Sequence, residues 1–199
     1  MFSPLTKQLI DAFRGLPGIG PKSAQRLTYQ LLADSGKEKA HLLSDALKQA
    51  ALSVAHCQQC RQFTEETICA ICKNSKRDHS LLCVVENPSD MIALEQTHAF
   101  HGVYFVLHGH LSPLDGVTPD DLHIPQLLSR LQNESIREII LATNPTVEGK
   151  ATAQYIAGRI DANKISCTRI AHGVPMGGEL EYLDGSTLSH AFYSRRPVE

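Results

Sequence analysis

The sequence predicts an α+β protein with a helical N-terminal segment, a small four-cysteine module, a parallel α/β core and a C-terminal tail. Three observations predict it. Apolar residues recur at helical spacing through the first 55 positions, four cysteines fall within sixteen residues at 57–72, and from residue 80 short apolar runs alternate with helix-like segments.

In the first segment, Ser3 is the expected N-cap and Pro4 the first helical residue, and Leu5, Leu9, Ile10 and Phe13 share one face. "GLPGIG" breaks that pattern. A second helix is expected over 21–34, with Ala24, Leu27, Leu31 and Leu32 apolar and Gly36 as the stop. A third is expected over 37–55, with Leu43, Leu47, Ala50 and Val54 on one side. Beyond the cysteines, "LLCVV" (81–85), "VYFVLHG" (103–109), "EIILAT" (138–143) and "ISCTRI" (165–170) read as buried strands, with Cys83 and Cys167 as small buried hydrophobes inside them. Helices near 88–98, 120–133 and 148–162 complete βαβ units. The tail is expected to hold a short strand around Leu180–Leu183 and a last helix capped by Ser186. The expected boundaries are 1–55, 56–79, 80–175 and 176–199.

With 199 residues, 42% of them hydrophobic, the chain can bury a core. No apolar run approaches the roughly 20 residues that span a bilayer. The N-terminus reads as an amphipathic helix and not a signal peptide, so a cytoplasmic protein is expected. Net charge is −2, but its distribution is uneven. Residues 1–79 carry 11 basic and 7 acidic side chains (+4), and residues 80–199 carry 8 and 14 (−6). A polyanion partner for the N-terminal part fits that asymmetry, as does chance scatter of surface charge.

Cys57, Cys60, Cys69 and Cys72 form two C-x-x-C pairs separated by eight residues. Each pair can present two thiolates to one ion, and four protein ligands leave no open position. The expectation is one structural zinc per chain. A redox dithiol or two disulfides are the other uses of such cysteines, which a cytoplasmic setting disfavours. His56 adjoins the cluster but is not needed as a ligand. His108 and His110 in "LHGHLSPLDG" read as solvated or hydrogen-bonded loop histidines.

"LPGIGPKSAQR" (16–26) joins the first two helices. Gly18 and Gly20 permit a tight turn and leave backbone N–H groups uncovered at a helix start, where an anion is favoured. Lys22 and Arg26 are four apart and share a face, so they can grip backbone phosphates without reading bases. The stretch resembles the helix-hairpin-helix motif of DNA-binding proteins. A plain connector with two solvated basic residues is the alternative.

"VVENPSD" puts Glu86 just past one strand, with Asp90 four residues on. "ATNPTVEGKAT" (142–152) puts Asn144, Thr146 and Glu148 past another. In a parallel sheet both lie at carboxyl ends, where ligand sites gather. The pair resembles the Toprim domain of topoisomerases, primases and some nucleases, which implies an α/β Toprim core. Those enzymes hold magnesium with a glutamate and an Asp-x-Asp. Asn144 and Thr146 stand at the aspartate positions, so strong magnesium binding is not expected. "GGELEYLDGSTL", ending a strand at Asp184, resembles a Walker B element. No Walker A sequence accompanies it, which excludes an ATPase reading and leaves packing or oligomer contact.

Taken in order, "LPGIGPKSAQR", "CQQC…CAIC", "VVENPSD", "LHGHLSPLDG", "TNPTVEGKAT" and "GVPMGGELEYLDGSTL" resemble the RecR family of bacterial recombination mediators over nearly the whole chain. The family's Toprim domain has this Asn/Thr form. The resemblance implies a nucleoid-associated DNA-repair protein that is not an enzyme. It acts with RecO and RecF to place RecA on single-stranded DNA coated by single-strand-binding protein, or at gaps. It implies dimers or tetrameric rings on single- or double-stranded DNA without sequence preference. It assigns DNA contact to Gly18, Gly20, Lys22 and Arg26, zinc to the four cysteines, and a partner-facing acidic surface to Glu86, Asp90 and Glu148. A magnesium-dependent Toprim nuclease or primase-like enzyme is the rival reading, and a pure interaction scaffold the third.

Overall fold

Ser3 and Pro4 start the first helix as their chemistry requires. The Ser3 hydroxyl accepts from the Thr6 amide at 3.3 Å, and Pro4 opens helix α1 (Pro4–Arg14). The computed structural model describes residues 2–171, 173–195 and 197. It divides into two units, Met1–Val54 and Ala55–Glu199. The first unit holds α1, α2 (Pro21–Leu32) and α3 (Lys37–Ser53). Ile10, Ala24 and Thr28 are buried where α1 meets α2, while α3 buries none of its side chains.

The second unit begins with the cysteine module. A two-stranded antiparallel ribbon, β1 (Ala55–His56) with β2 (Phe63–Thr64), carries the first C-x-x-C in its knuckle. The short helix α4 (Ala70–Lys73) carries Cys72, with Cys69 as its N-cap.

The remaining core is a four-stranded parallel sheet in the order β4-β3-β5-β6, made of β3 (Asp78–Val85), β4 (Gly102–Val106), β5 (Glu138–Ala142) and β6 (Ser166–Arg169). Helices α5 (Pro88–Gln96), α6 (Ile124–Asn133) and α7 (Val147–Ala157) make the crossovers. Alternation along β3 sorts the two faces. Leu82 and Val84 join Phe105, Leu127, Leu141 and Ile156 under α6 and α7, and Cys83 and Val85 join Met91, Tyr104 and Val106 with Ile71 of α4 against them. The predicted βαβ alternation is therefore the observed one. β3 and β5 are neighbours whose crossovers leave on opposite faces, which opens a crevice at their carboxyl ends.

Three local expectations differ from the structure. Cys167 is exposed, because β6 is an edge strand and most of its side chains face solvent. Residues Leu180–Tyr182 form a single 3-10 turn and not a strand, since no pairing edge accompanies them. The last helix, α8 (Gly185–Tyr193), is capped by Asp184 and not Ser186. The Asp184 carboxylate accepts from the amides of Ser186 and Thr187 at 3.0 and 2.9 Å. Those bonds and both hydroxyls hold its pKa well below the usual carboxylate range.

Candidate functional site

The four cysteine sulfurs lie within 4.8 Å of one another, and all four residues are buried. Tetrahedral zinc with sulfur at about 2.3 Å needs sulfurs about 3.8 Å apart, so the cluster fits such an ion. Electrostatics points the same way. Hydrogen bonds from neighbouring thiols, Cys60 first, hold the Cys69 thiol far below its ordinary value. The reciprocal contacts and burial push Cys60 up to about 12 and Cys72 higher still. Without a cation, one thiolate opposes the ionisation of the others. A divalent ion removes that opposition. The Cys69 amide also donates to Cys57 Sγ at 3.3 Å, a bond that favours a thiolate. By contrast, Cys83 is pushed up to about 12 by burial alone and stands as a small hydrophobe within the sheet core.

Two buried arginines fasten this module to the sheet. Arg61, at φ +64°, sends Nη1 to the carbonyls of Val106, Leu107 and Leu122 at 3.3, 3.1 and 3.2 Å. Arg130 Nη1 donates to Gln59 O at 3.1 Å and Tyr104 O at 2.9 Å. The Val106 amide donates to Cys60 O at 2.8 Å, so the backbone of the cysteine module continues the hydrogen bonding of β4. Burial lowers the Arg61 pKa, though a guanidinium stays charged at any physiological pH. The Arg61 carbonyl faces His108 Nε2 at 2.7 Å and His56 Nδ1 at 3.0 Å, and both rings pack with Phe63. His108 is thus a hydrogen-bonded loop histidine, and burial lowers its pKa.

At the sheet crevice, Glu86 is only 2% exposed. Its Oε1 accepts from the Asn144 amide and its Oε2 from Asn144 Nδ2, both at 2.8 Å. His110 Nδ1 lies 3.5 Å from the same Oε2. Thr146 is the N-cap of α7, its hydroxyl accepting from the Gly149 amide at 3.0 Å. Gly149 admits no side chain, because a Cβ there would lie 2.2 Å from Asn144 O and 2.6 Å from Glu86 Oε1. The two stretches lie at neighbouring carboxyl ends as expected, but it is Glu86 and Asn144 that are brought together, a pairing the sequence reading did not make. The expectation that Glu86 lies on an acidic surface is corrected, since it sits beneath that surface. Asp90 is partly buried and accepts from the Asn87 amide at 2.9 Å, closing the start of α5. Of the three acidic residues only Glu148 is fully open to solvent.

The hairpin turn has Gly18 at φ +79° and Gly20 as N-cap of α2. No side chain caps that helix, and Lys22 and Arg26 are exposed on its first turns. Uncapped amides and two cations together make an anion-accepting corner.

Three stretches of the chain match known families. Residues 6–51 match the family described as RecR, helix-hairpin-helix, residues 80–171 match the Toprim domain, and residues 173–196 match RecR, C-terminal. The recombination protein RecR of Coxiella burnetii is 64% identical over 199 residues, covering 100% of this chain and 99% of that protein. The chain belongs to the RecR family. Its place is thus among recombination and repair proteins, with a helix-hairpin-helix, a Toprim domain and a four-cysteine cluster able to hold a metal ion. Within this RecR chain, Arg61, Arg130 and Gly149 are the structural participants that sequence reasoning did not single out. Arg61 and Arg130 act on backbone carbonyls, which leave no signature in a sequence. Gly149 had one, as a glycine in the first turn of a helix, where it is ordinarily costly.

Proposed function

We propose that this RecR-family chain is a DNA-binding recombination mediator without turnover of its own. The observation that carries this reading is the Glu86–Asn144 pairing. The carboxylate a Toprim enzyme would offer to magnesium is buried and has both oxygens engaged by one asparagine. Asn144 and Thr146, which stand for the missing aspartates, already serve that pairing and the cap of α7. DNA contact is assigned to the hairpin, with Gly18 and Gly20 shaping the turn and Lys22 and Arg26 on phosphates. Cys57, Cys60, Cys69 and Cys72 are assigned one structural zinc. Following the family resemblance, the partners are RecO-like and RecF-like proteins, and the outcome is RecA loaded onto DNA coated by single-strand-binding protein. Glu148 is the strongest candidate for an acidic partner contact, with Asp90 beside the same strand ends. A cytoplasmic, nucleoid-associated protein fits this role. Among the described residues no helix is long and apolar enough to cross a membrane.

Two measurements test the reading. Labelled DNA incubated with the protein and magnesium or manganese should stay intact. Cleavage that disappears in Glu86→Gln would establish the rival nuclease instead. Lys22→Ala/Arg26→Ala should weaken single-stranded DNA binding by about tenfold near 0.1 M salt and flatten the salt dependence by about 1.4, as expected for two lost phosphate contacts. An unchanged salt slope would remove the hairpin from the DNA interface.

A further inference from the structure

A second basic corner lies where the Asn144–Thr146 loop meets the C-terminal segment. A cleft of about 560 Å³ is lined there by Pro145, Lys150, Gly173, Ser186, Thr187 and His190. Lys150 Nζ, from α7, approaches His190 Nε2, from α8, to 3.1 Å. Two basic groups from elements forty residues apart in sequence thus converge on one opening. Among the described residues neither forms a salt bridge. A further cation stands behind the loop, with Arg169 Nη2 donating to Asn144 O at 3.2 Å, next to the Pro145 wall. The Arg169 Nε is buried and has no partner among the described residues.

None of the nearby carboxylates forms a salt bridge with Lys150 or His190 among the described residues. Glu86 is buried against Asn144. Asp184 is engaged by the Ser186 and Thr187 amides and hydroxyls, and Glu148 is open to solvent in the first turn of α7. The crevice where a Toprim enzyme would gather carboxylates around a cation has beside it a wall that carries the Lys150 ammonium, with the His190 ring against it. Such a wall has no need of a metal to hold an anion. We propose that Lys150 and His190 form a second anion site, independent of the hairpin, that takes a backbone phosphate of bound DNA. The cleft is wide and open for a lone phosphate. A phosphodiester within a strand places one anionic group on the Lys150–His190 pair and leaves sugar and base in the remaining space. This assignment rests on the DNA-binding reading above and adds a contact surface to it.

The test uses the full-length protein and a short fluorescent single-stranded oligonucleotide, with binding followed by anisotropy across a salt series. Lys150→Ala/His190→Ala should weaken binding three- to tenfold near 0.1 M salt and lower the salt slope by about 1. Its effect should add on a logarithmic scale to that of Lys22→Ala/Arg26→Ala, because the two pairs belong to different units of the chain. Lys164→Ala, an exposed lysine at the opposite end of the sheet, controls for overall charge and should change binding less than twofold. An unchanged thermal midpoint confirms that the variants fold, and Lys150→Gln with His190→Gln replaces any pair that does not. If the parent binds DNA and the Lys150/His190 variant matches it in affinity and slope, the proposal is overturned. Should the parent bind no oligonucleotide, the DNA-binding reading fails separately. Titration with inorganic phosphate, followed at the His190 ring resonances, then decides the site. A saturating shift that Lys150→Ala abolishes keeps an anion site for free phosphate, and no shift removes it.

Discussion

Asn144 and Thr146 both do structural work at the carboxyl end of β5, Asn144 against Glu86 and Thr146 as the cap of α7. An aspartate at 144 would set a second carboxylate against the buried Glu86. The asparagine instead supplies its amide and Nδ2 to both Glu86 oxygens. A hydrogen bond to a buried charge is worth about 1.5–3 kcal/mol, and leaving the charge unpaired costs more. Asn144→Asp should therefore destabilise the second unit by about 2–4 kcal/mol at neutral pH, a loss of one donor plus like-charge repulsion. Millimolar magnesium should restore part of the loss, since it replaces the missing positive partner. Thermal unfolding with and without the ion checks both statements, and a variant as stable as the parent without metal would show that the amide donors do not matter. Sequence alone showed that the aspartates were absent. It did not show what had replaced their function, because the Glu86–Asn144 bond spans 58 residues and depends on strand register. The N-cap role of Thr146 was legible in principle from a threonine preceding a helical run.

Among the elements, the cysteine knuckle and the parallel sheet were both readable, and their connection was not. The C-x-x-C spacing announces a metal module, and the apolar runs from residue 80 announce strands in the order found. Edge and centre were harder to tell apart. "ISCTRI" carries Ser, Thr and Arg among its apolar residues and reads as a buried strand only by its place in the alternation, yet β6 closes the sheet and exposes Cys167. The clamp through Arg61 and Arg130 ends on carbonyls of Gln59, Tyr104, Val106, Leu107 and Leu122, and no residue type marks those as acceptors. Through the clamp, an ion held by the four cysteines would stabilise β4 as well as its own loop. Removing the ion with a chelator should speed amide exchange at Val106, whose N–H bonds Cys60 O, by at least tenfold, while central β5 amides change far less. Arg61→Ala, with metal bound, should loosen the same strand end and cost about 2–4 kcal/mol by stranding three buried carbonyls. Equal exchange at Val106 with and without zinc would mean that module and sheet are energetically separate.

For the whole molecule, the decisive feature is apolar surface left exposed among the described residues. Leu43, Leu47 and Val54 form the stripe predicted for α3, and they are 41%, 62% and 36% exposed. Leu52 adds to the same helix, and α3 contributes no buried side chain. A 54-residue unit whose only buried helical side chains are Ile10, Ala24 and Thr28 cannot offset its ordering entropy alone. The C-terminal segment repeats the situation, with Met176, Leu180, Tyr182, Phe192 and Tyr193 largely exposed. Solvent-facing apolar stripes of this size call for a protein partner, and a second copy carrying the same stripe is the simplest self-complementary one. Assembly would also answer the charge problem. One N-terminal part carries a net of only +4 through residue 79, which is little for a polyanion binder. Two or four copies on one strand multiply the effective local concentration of basic hairpins. Leu43→Glu/Leu47→Glu should therefore lower the solution mass measured by light scattering to a smaller species. It should weaken DNA binding by more than tenfold, although neither residue touches the hairpin's Lys22–Arg26 face of α2. The two effects must appear together. A variant that stays assembled yet loses DNA would mean that α3 meets nucleic acid directly, and one that dissociates yet binds DNA with unchanged affinity would mean that a single hairpin suffices.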